Sequence, residues 1–459
     1  MKLIYNVDDR PKFGQLIAFA IQQLLAIMAA TLVVPVITGH GMSSAAALFG
    51  AGMGTLVYVL FTKAKSPVFL GSSFAFLGSM AAAFAGGVTM QLGYVGLILG
   101  AIFAGLVYVV IAIIVKLVGV GWVNKLMPAV VIGPTVSIIG LSLAGNAIGD
   151  LQKGGVSVVI DEMVIPATNT YLCVFIGLVT LAVTMLCSTY GKKMARLIPF
   201  ILGILSGYGV AVIFTVIGLL TDNVQLQVID FSHFTNLVAN GVTLETFFAL
   251  PEFTFVTAAK GLGDINGAYI GTIAVAYIPV AFVVFAEHIA DHKNISTIIE
   301  KDLLQEPGLH RTLLGDGVGS IVGAFFGGCP NTTYGESVGC VAITRNASVT
   351  TIIAAAVGAI LISFVNPFVA FVNSIPSCVM GGVCMALYGF IAVSGLKMIQ
   401  KVNLEENKNL FVVSTILISG IGGLSLTFGK VTITSIACAL ILGILANVML
   451  SKKKDESAE

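Results

Sequence analysis

Charge is what this 459-residue chain has least of: Asp, Glu, Lys and Arg make up 10% of it, against about 25% in a soluble globular domain. That scarcity excludes a water-soluble fold with a charged surface. Tryptophan occurs once, and a net charge of +1 carries no argument for a nucleic-acid partner; none is expected. The seven cysteines (Cys173, Cys187, Cys329, Cys340, Cys378, Cys384, Cys438) lie in apolar stretches without a CxxC pair. They therefore read as buried thiols, not as a disulfide or zinc framework. The opening "MKLIYNVDDRPKFGQ" is charged and has no small-residue cleavage site after a short apolar core, so no cleaved signal peptide is expected. What is present is hydrophobicity, 57% of residues at a mean hydropathy of +1.02. The composition is that of a polytopic membrane protein.

Apolar runs of about 17–25 residues can cross a bilayer as helices. Fourteen such stretches lie near 13–38, 43–61, 67–86, 92–120, 127–147, 170–188, 197–220, 269–290, 312–328, 331–345, 348–371, 376–396, 409–428 and 432–450. The third and tenth are the weakest, rich in Gly, Ser and Thr and opened by a proline. With the N-terminus inside, all but Lys153, Lys260 and Lys430 of the 23 Lys and Arg residues fall on the inside, the bias of cytoplasmic loops. Removing one span would reverse every later loop and erase that bias. Fourteen spans with both termini cytoplasmic is the expectation. The longest polar stretch, 221–268, then falls outside and separates two sets of seven.

The two sets resemble each other. "WVNKLMPAVVIGP" at 122–134 and "FVNSIPSCVMGG" at 371–382 each place Val-Asn before a proline and a glycine five residues after it (Pro128 to Gly133, Pro376 to Gly381). "SPVFLGSSFAF" at 66–76 matches "CPNTTYGESVG" at 329–339 in character. Because seven is odd, the second set enters from the opposite side, a plan used by transporters whose substrate site lies at interrupted helices near the midplane. The domain division is 1–220 for the first repeat, 221–268 for an extracellular connection, 269–450 for the second repeat and 451–459 for a cytoplasmic tail.

Four acidic residues stand inside apolar segments: Glu287, Asp291, Asp316 and Glu336. Such groups face a cavity, pair, or stay protonated. Glu336 follows Pro330 and sits between Gly335 and Gly339, residues that let the chain leave the helix. Irregular backbone at that depth survives only where it is buried in protein or lines a cavity. It could serve with the carboxylate to read a small polar molecule; the alternative is a pore-lining or loop-end residue. Asp291 lies one helical turn from Glu287. His288 and His292 are four apart, but "EHIADH" is not HExxH and no third ligand is evident. No metal and no cofactor are expected, and packing or solvated histidines are the simpler reading. Asp316 reads as a cap or loop contact. Gly315, Gly319, Gly323 and Gly327 recur every four residues and permit close helix packing. Ser72, Ser73, Phe74, Gln22, Gln23, Tyr334 and Tyr388 are further groups of suitable reach, and Phe74 could stack on a flat ligand.

"PNTTYGESVG", "AEHI", "LGSSFAF" and "MGGVCMALYGF", with "KDLLQEPGLHRTLLGDG" between spans eight and nine, resemble the nucleobase–ascorbate transporter family, and within it the bacterial uracil permeases. The resemblance runs over nearly the whole chain. It implies an all-α polytopic membrane protein of fourteen segments in a 7+7 inverted repeat, divided into core and gate domains, with short strands interrupting segments 3 and 10. It also implies proton-coupled uptake of uracil through the plasma membrane, no enzymatic activity, and a homodimer in the bilayer. By the same resemblance Glu287 and Glu336 would bind the pyrimidine edge, backbone at Phe74 and Gly335 would complete the contacts, Phe74, Tyr334 and Tyr388 would line the pocket, and Ala30 would lie beside it. Some uracil transporters of the family carry a histidine one turn after the first glutamate and another in the first span. Asp291 and Gln23 stand there here, so either Glu287 carries the proton or Asp291 shares it. The alternatives are a xanthine or urate permease of the same family, or an anion exchanger of the related sulfate-transporter fold, which two acidic site residues oppose.

Overall fold

A computed structural model describes residues 3–160, 163–192, 194–239, 241–428 and 431–451. Lys2, Lys193, Lys430, Lys452, Lys453 and Lys454, which enter the charge count, and the tail over 452–459 lie outside the described residues. Apolar composition and the near absence of internal charge make helix the default, since a helix satisfies its own backbone in a medium without water. In chain order the elements that position the site are α1 (Phe13–Thr38), α2 (Ser44–Phe61), β1 (Leu70–Ser72), a 3-10 turn at Phe74–Phe76, α3 (Leu77–Ala83), α4 (Met90–Val118), α5 (Ala129–Ser142) and α6 (Ala144–Leu151). There follow a hairpin of β2 (Ser157–Ile160) and β3 (Met163–Pro166), α7 (Thr170–Tyr190), α8 (Met194–Leu197) and α9 (Pro199–Leu220). After three short helices within 232–259 come α10 (Gly267–Ile299), α11 (Leu309–Gly327), β4 (Asn331–Thr333), α12 (Gly335–Thr344), α13 (Val349–Ile362), α14 (Asn366–Asn373) and α15 (Ser377–Ile399). The chain ends with α16 (Asn407–Ile421), a hairpin of β5 (Leu426–Phe428) and β6 (Val431–Ile433), and α17 (Ser435–Ser451).

Each of the fourteen apolar stretches holds helix, but eight helices among the described residues are long and apolar enough to cross a membrane. The others are shorter or broken. One of the eight, Ala129–Leu151, carries a break at Leu143, while the stretch at 348–371 is divided between Ile362 and Asn366. The thirteenth leaves the helix at Ile421, where Gly422 and Gly423 follow and Gly423 takes φ 73°, a conformation that suits glycine. The described residues are mostly helical and contain three two-stranded antiparallel sheets, β1–β4, β2–β3 and β5–β6, of which the last two add to the short strands expected in segments 3 and 10. Of these, β5 and most of β6 lie at the ends of the apolar stretches 409–428 and 432–450, where three-residue strands carry little signal of their own.

Pro128 and Pro376, the prolines shared by the two similar motifs, both stand at helix N-caps, of α5 and α15. A proline there loses no hydrogen bond. The helices pack in two groups. In one, α2 lies on α11 and α13, α4 on α10 and α11, and α1 on α13; in the other, α15 lies on α5, α6 and α7, α16 on α5 and α17, and α7 on α9. Of the five glycines of α11, Gly315, Gly319, Gly323 and Gly327 line its crossing with α2 and β4, while Gly317 meets Tyr108 and Gly105 of α4. A Cβ on Gly319 would stand 2.8 Å from the Gly54 carbonyl oxygen, and one on Gly54 would stand 2.7 Å from the Gly319 oxygen. Gly315 meets Tyr58 and Phe61, Gly323 meets Asn331, and Gly327 meets Ala46 and Ala47. Backbone rests on backbone along this crossing. Gly319→Val should therefore destabilise by about 1–3 kcal/mol through overpacking, read as a lower melting temperature of the purified protein. The same change at Gly14, which has open space around it, should not; equal effects at the two sites would refute the close crossing.

Candidate functional site

The crossing of β1 and β4 is where the sequence leaves the helix inside the helical body. Leu70 pairs with Thr333, Gly71 with Thr332 and Ser72 with Asn331. The ladder extends at both ends, with Ser73 N–H donating to the Pro330 carbonyl (2.9 Å) and Tyr334 N–H to the Phe69 carbonyl (3.2 Å). Helix begins immediately after each strand. The outer edges need partners too, because an unmade backbone bond away from water is costly. The Thr55 hydroxyl of α2 takes the Leu70 N–H (2.9 Å), and Ser337 Oγ of α12 takes the Phe69 N–H (2.9 Å). Gln23 of α1, buried at 3% exposure, donates its side-chain amide to that same Ser337 oxygen.

Two side chains of β4 anchor it, and the one between them turns away. Asn331 Nδ2 donates to the Gly50 carbonyl of α2 (3.2 Å). Thr333 donates to Asp291 Oδ2 of α10 (2.9 Å). Thr332 turns to the other face, beside Asp316 of α11. Tyr334 follows, buried, its hydroxyl donating to the Ser72 carbonyl (2.7 Å) and its ring lying against Gly71. The tyrosine is a cross-brace of the strand pair.

The acidic residues gather around this crossing. Glu336 occupies the first turn of α12 and is half-buried. Glu287 of α10 is also half-buried, and the charged groups that act on it are all carboxylates: Asp291, Glu336 and Asp316. Gly335 is exposed, and a Cβ there would find only Asp291 Oδ1, at 3.8 Å. Glu287, Asp291, Gly335 and Glu336 thus border one another. Phe74, in the 3-10 turn after β1, is buried and meets the ring of Tyr388 of α15 edge-on, with centroids 5.5 Å apart at 81°. Ala30 is buried in α1 at 1% exposure.

One expectation narrows and one changes. His288 and His292 are not solvated: both rings are fully buried and stacked 4.0 Å apart. His288 Nδ1 lies 2.7 Å from Asp316 Oδ2 and its Nε2 lies 3.0 Å from the Thr312 hydroxyl, while His292 Nε2 meets the Tyr58 hydroxyl at 2.7 Å. Asp316 is neither cap nor loop; it sits mid-helix in α11, fully buried, as the histidine's partner. No cluster of three or more His, Cys, Asp or Glu suited to a metal occurs among the described residues. Thr55, Thr333 and Ser337 went unnamed in the sequence because hydroxyls in apolar helices usually bond their own backbone; the signal for Thr333 was its alternation with Thr332 in a strand.

Long apolar helices packed around a polar, non-helical crossing define an integral membrane protein. The family model Xan_ur_permease, described as "Permease family", matches residues 14–428. The chain is 38% identical to a uracil permease of Bacillus caldolyticus over 98% of this chain and 95% of that protein. It is 36% identical to the uracil permease of Bacillus subtilis, covering 100% and 98%, and 34% identical to that of Escherichia coli K12, covering 96% and 92%. The chain belongs to this permease family; it is a transporter, not an enzyme. Among solved structures, the transmembrane domain of a cyanobacterial bicarbonate transporter, BicA, superposes with a TM-score of 0.60 at 13% identity, over 96% of this chain and 100% of that one. The murine anion transporter Slc26a9, in its inward-facing state, gives 0.64 at 10% identity, over 97% and 69%. These two share the fold. Tyr334→Phe should cost about 1–3 kcal/mol by leaving the buried Ser72 carbonyl without its donor; a melting temperature equal to wild type would show that the brace carries no stability.

Proposed function

We propose that the chain is a uracil:proton symporter that imports uracil across the plasma membrane by alternating access. The observation that carries this reading is the pair of glutamates, Glu287 on α10 and Glu336 at the start of α12, beside the β1–β4 crossing. They stand in a chain whose near-full-length relatives include uracil permeases. Uracil presents N–H donors and carbonyl acceptors along one planar edge. Carboxylate oxygens accept from the former, and backbone N–H groups at a helix start donate to the latter. Glu287 and Glu336 bind that edge, backbone at Phe74 and Gly335 completes it, Phe74, Tyr334 and Tyr388 line the pocket, and Ala30 stands beside it. Carboxylates crowded away from water repel one another, and a shared proton removes that repulsion. This supports proton coupling through Glu287, with Asp291 sharing the proton.

The architecture we infer is fourteen segments in a 7+7 inverted repeat over 1–220 and 269–450, joined by an extracellular connection at 221–268. Segments 3 and 10 are interrupted by β1 and β4. The packing supports it, because contacts recur when each element is exchanged for its counterpart. Thus α1 on α13 mirrors α10 on α4, α1 on α12 mirrors α10 on α3, and α16 on α5 mirrors α15 on α7. The two packing groups supply the core (α1–α4, α10–α13) and the gate (α5–α9, α15–α17). Both termini, including the tail at 451–459, are cytoplasmic by the charge bias. The protein works as a homodimer in the bilayer.

Labelled-uracil uptake into energised cells should collapse on addition of a protonophore; uptake that continues unchanged would remove the coupling. Excess xanthine should leave that uptake intact, and effective competition would favour a purine permease. Glu336→Gln should raise the uracil concentration for half-maximal uptake by about ten- to a hundredfold, the loss of a charged hydrogen bond. Unaltered affinity would take Glu336 out of the site.

A further inference from the structure

Beside β4, two buried hydroxyls, of Tyr108 and Ser320, border a small cavity. Its wall includes Phe76, Tyr108, Val284, Gly317, Ser320 and Asn331, and its volume is about 10 Å³, the space of a single water. Tyr108 of α4 is 4% exposed and Ser320 of α11 is 5% exposed. Neither hydroxyl has a hydrogen-bond partner among the described residues. One helical turn before Ser320 stands Asp316, whose Oδ2 is taken by His288 while its Oδ1 has no partner among them. Thr332 comes up beside the same carboxylate from β4 without reaching hydrogen-bonding geometry. The tyrosine ring is held where it is. It lies edge-on to Phe285 (6.4 Å, 68°) and His288 (6.2 Å, 68°), and a Cβ on Gly317 would stand 2.9 Å from the Tyr108 Cβ.

Buried hydroxyls and carboxylates are almost always bonded, to protein or to ordered water. A water here has the right complement. It donates one hydrogen to Asp316 Oδ1 and the other to a hydroxyl oxygen, and accepts from the Tyr108 O–H and from a second hydroxyl. The geometry points to a bound water in this cavity, through which Tyr108 and Ser320 act as positioning residues for the Asp316–His288 pair. The pair lies one residue along α10 from Glu287, so the water ties α4 and α11 to the helix that carries the proposed site. The link to transport rests on the function proposed above; the water site does not.

Thermal unfolding of the purified full chain tests the site without substrate. Tyr108→Phe and Ser320→Ala should each lower the melting temperature by about 2 °C, and the double variant by less than the sum, since both lose the same bridge. Strict additivity would overturn the proposal. The melting temperature should be the same in sodium chloride and choline chloride; stabilisation by sodium would replace the water with a cation and overturn it as well. High-resolution density should show one peak within hydrogen-bonding distance of Tyr108, Ser320 and Asp316, and density showing no such peak would refute it, whether or not the variants fold. In uptake assays Tyr108→Phe should lower the maximal rate with the half-saturating uracil concentration unchanged. The reverse split would end the positioning role while leaving uracil as substrate.

Discussion

A strand pair three residues long, set inside a body of apolar helices, is the constraint on which the rest depends. In a medium without water, each N–H and C=O released from a helix must find another partner. Here the two broken segments solve the problem for one another, Leu70 to Ser72 pairing with Asn331 to Thr333. The N–H groups of Leu70 and Phe69 that the pairing leaves over are taken by Thr55 and Ser337, and Asn331 ties its strand to the Gly50 carbonyl of α2. Gln23, a polar side chain in an otherwise apolar helix, is explained by the same demand, since its amide reaches Ser337. The polar residues of α1, α2 and α12 are therefore one system with the strands.

The acidic residues divide by what they already hold. Asp316 is bound to His288, and Asp291 to Thr333; both are buried, at 0% and 8% exposure. Glu287 and Glu336 remain half-buried beside the exposed Gly335. The buried pair stiffens the frame, and the half-buried pair meets the open space. A carboxylate with a fixed protein partner gains little from a passing ligand, because the ligand would have to displace a bond already made. This is the physical reason for placing recognition on the glutamates.

Much of the fold was legible because hydrophobic runs and charge clusters report directly on helices in a bilayer. The ranges of α1, α2, α7 and α9 lie within a few residues of the apolar stretches that announced them. The prolines at 128 and 376 announce helix starts for a local reason, and Gly315, Gly319, Gly323 and Gly327, four apart on α11, announce a close crossing. What stayed hidden depends on contacts across the chain. Nothing near Asp316 shows that its partner lies 28 residues earlier, in His288. Nothing in "LGSSFAF" shows that Ser72 offers its carbonyl to Tyr334, 262 positions away. The two hairpins stay hidden because strands of three or four residues carry a weak signal beside apolar helices of about twenty. The candidate site was legible as a set of residue types; its braces were not.

The glycine-to-glycine seam between α2 and α11 has a mechanical consequence. Where side chains separate two helices, rotamers can change and the helices can slide over one another. At Gly54 and Gly319 there is no such cushion, and any shift brings peptide planes into collision. The two helices therefore behave as a single strut, and the strand pair pinned to both moves with it. Displacement is left to surfaces where side chains separate the backbones, as at the edge-on meeting of Phe74 and Tyr388. The absence of side chains at one seam decides which other seam can give.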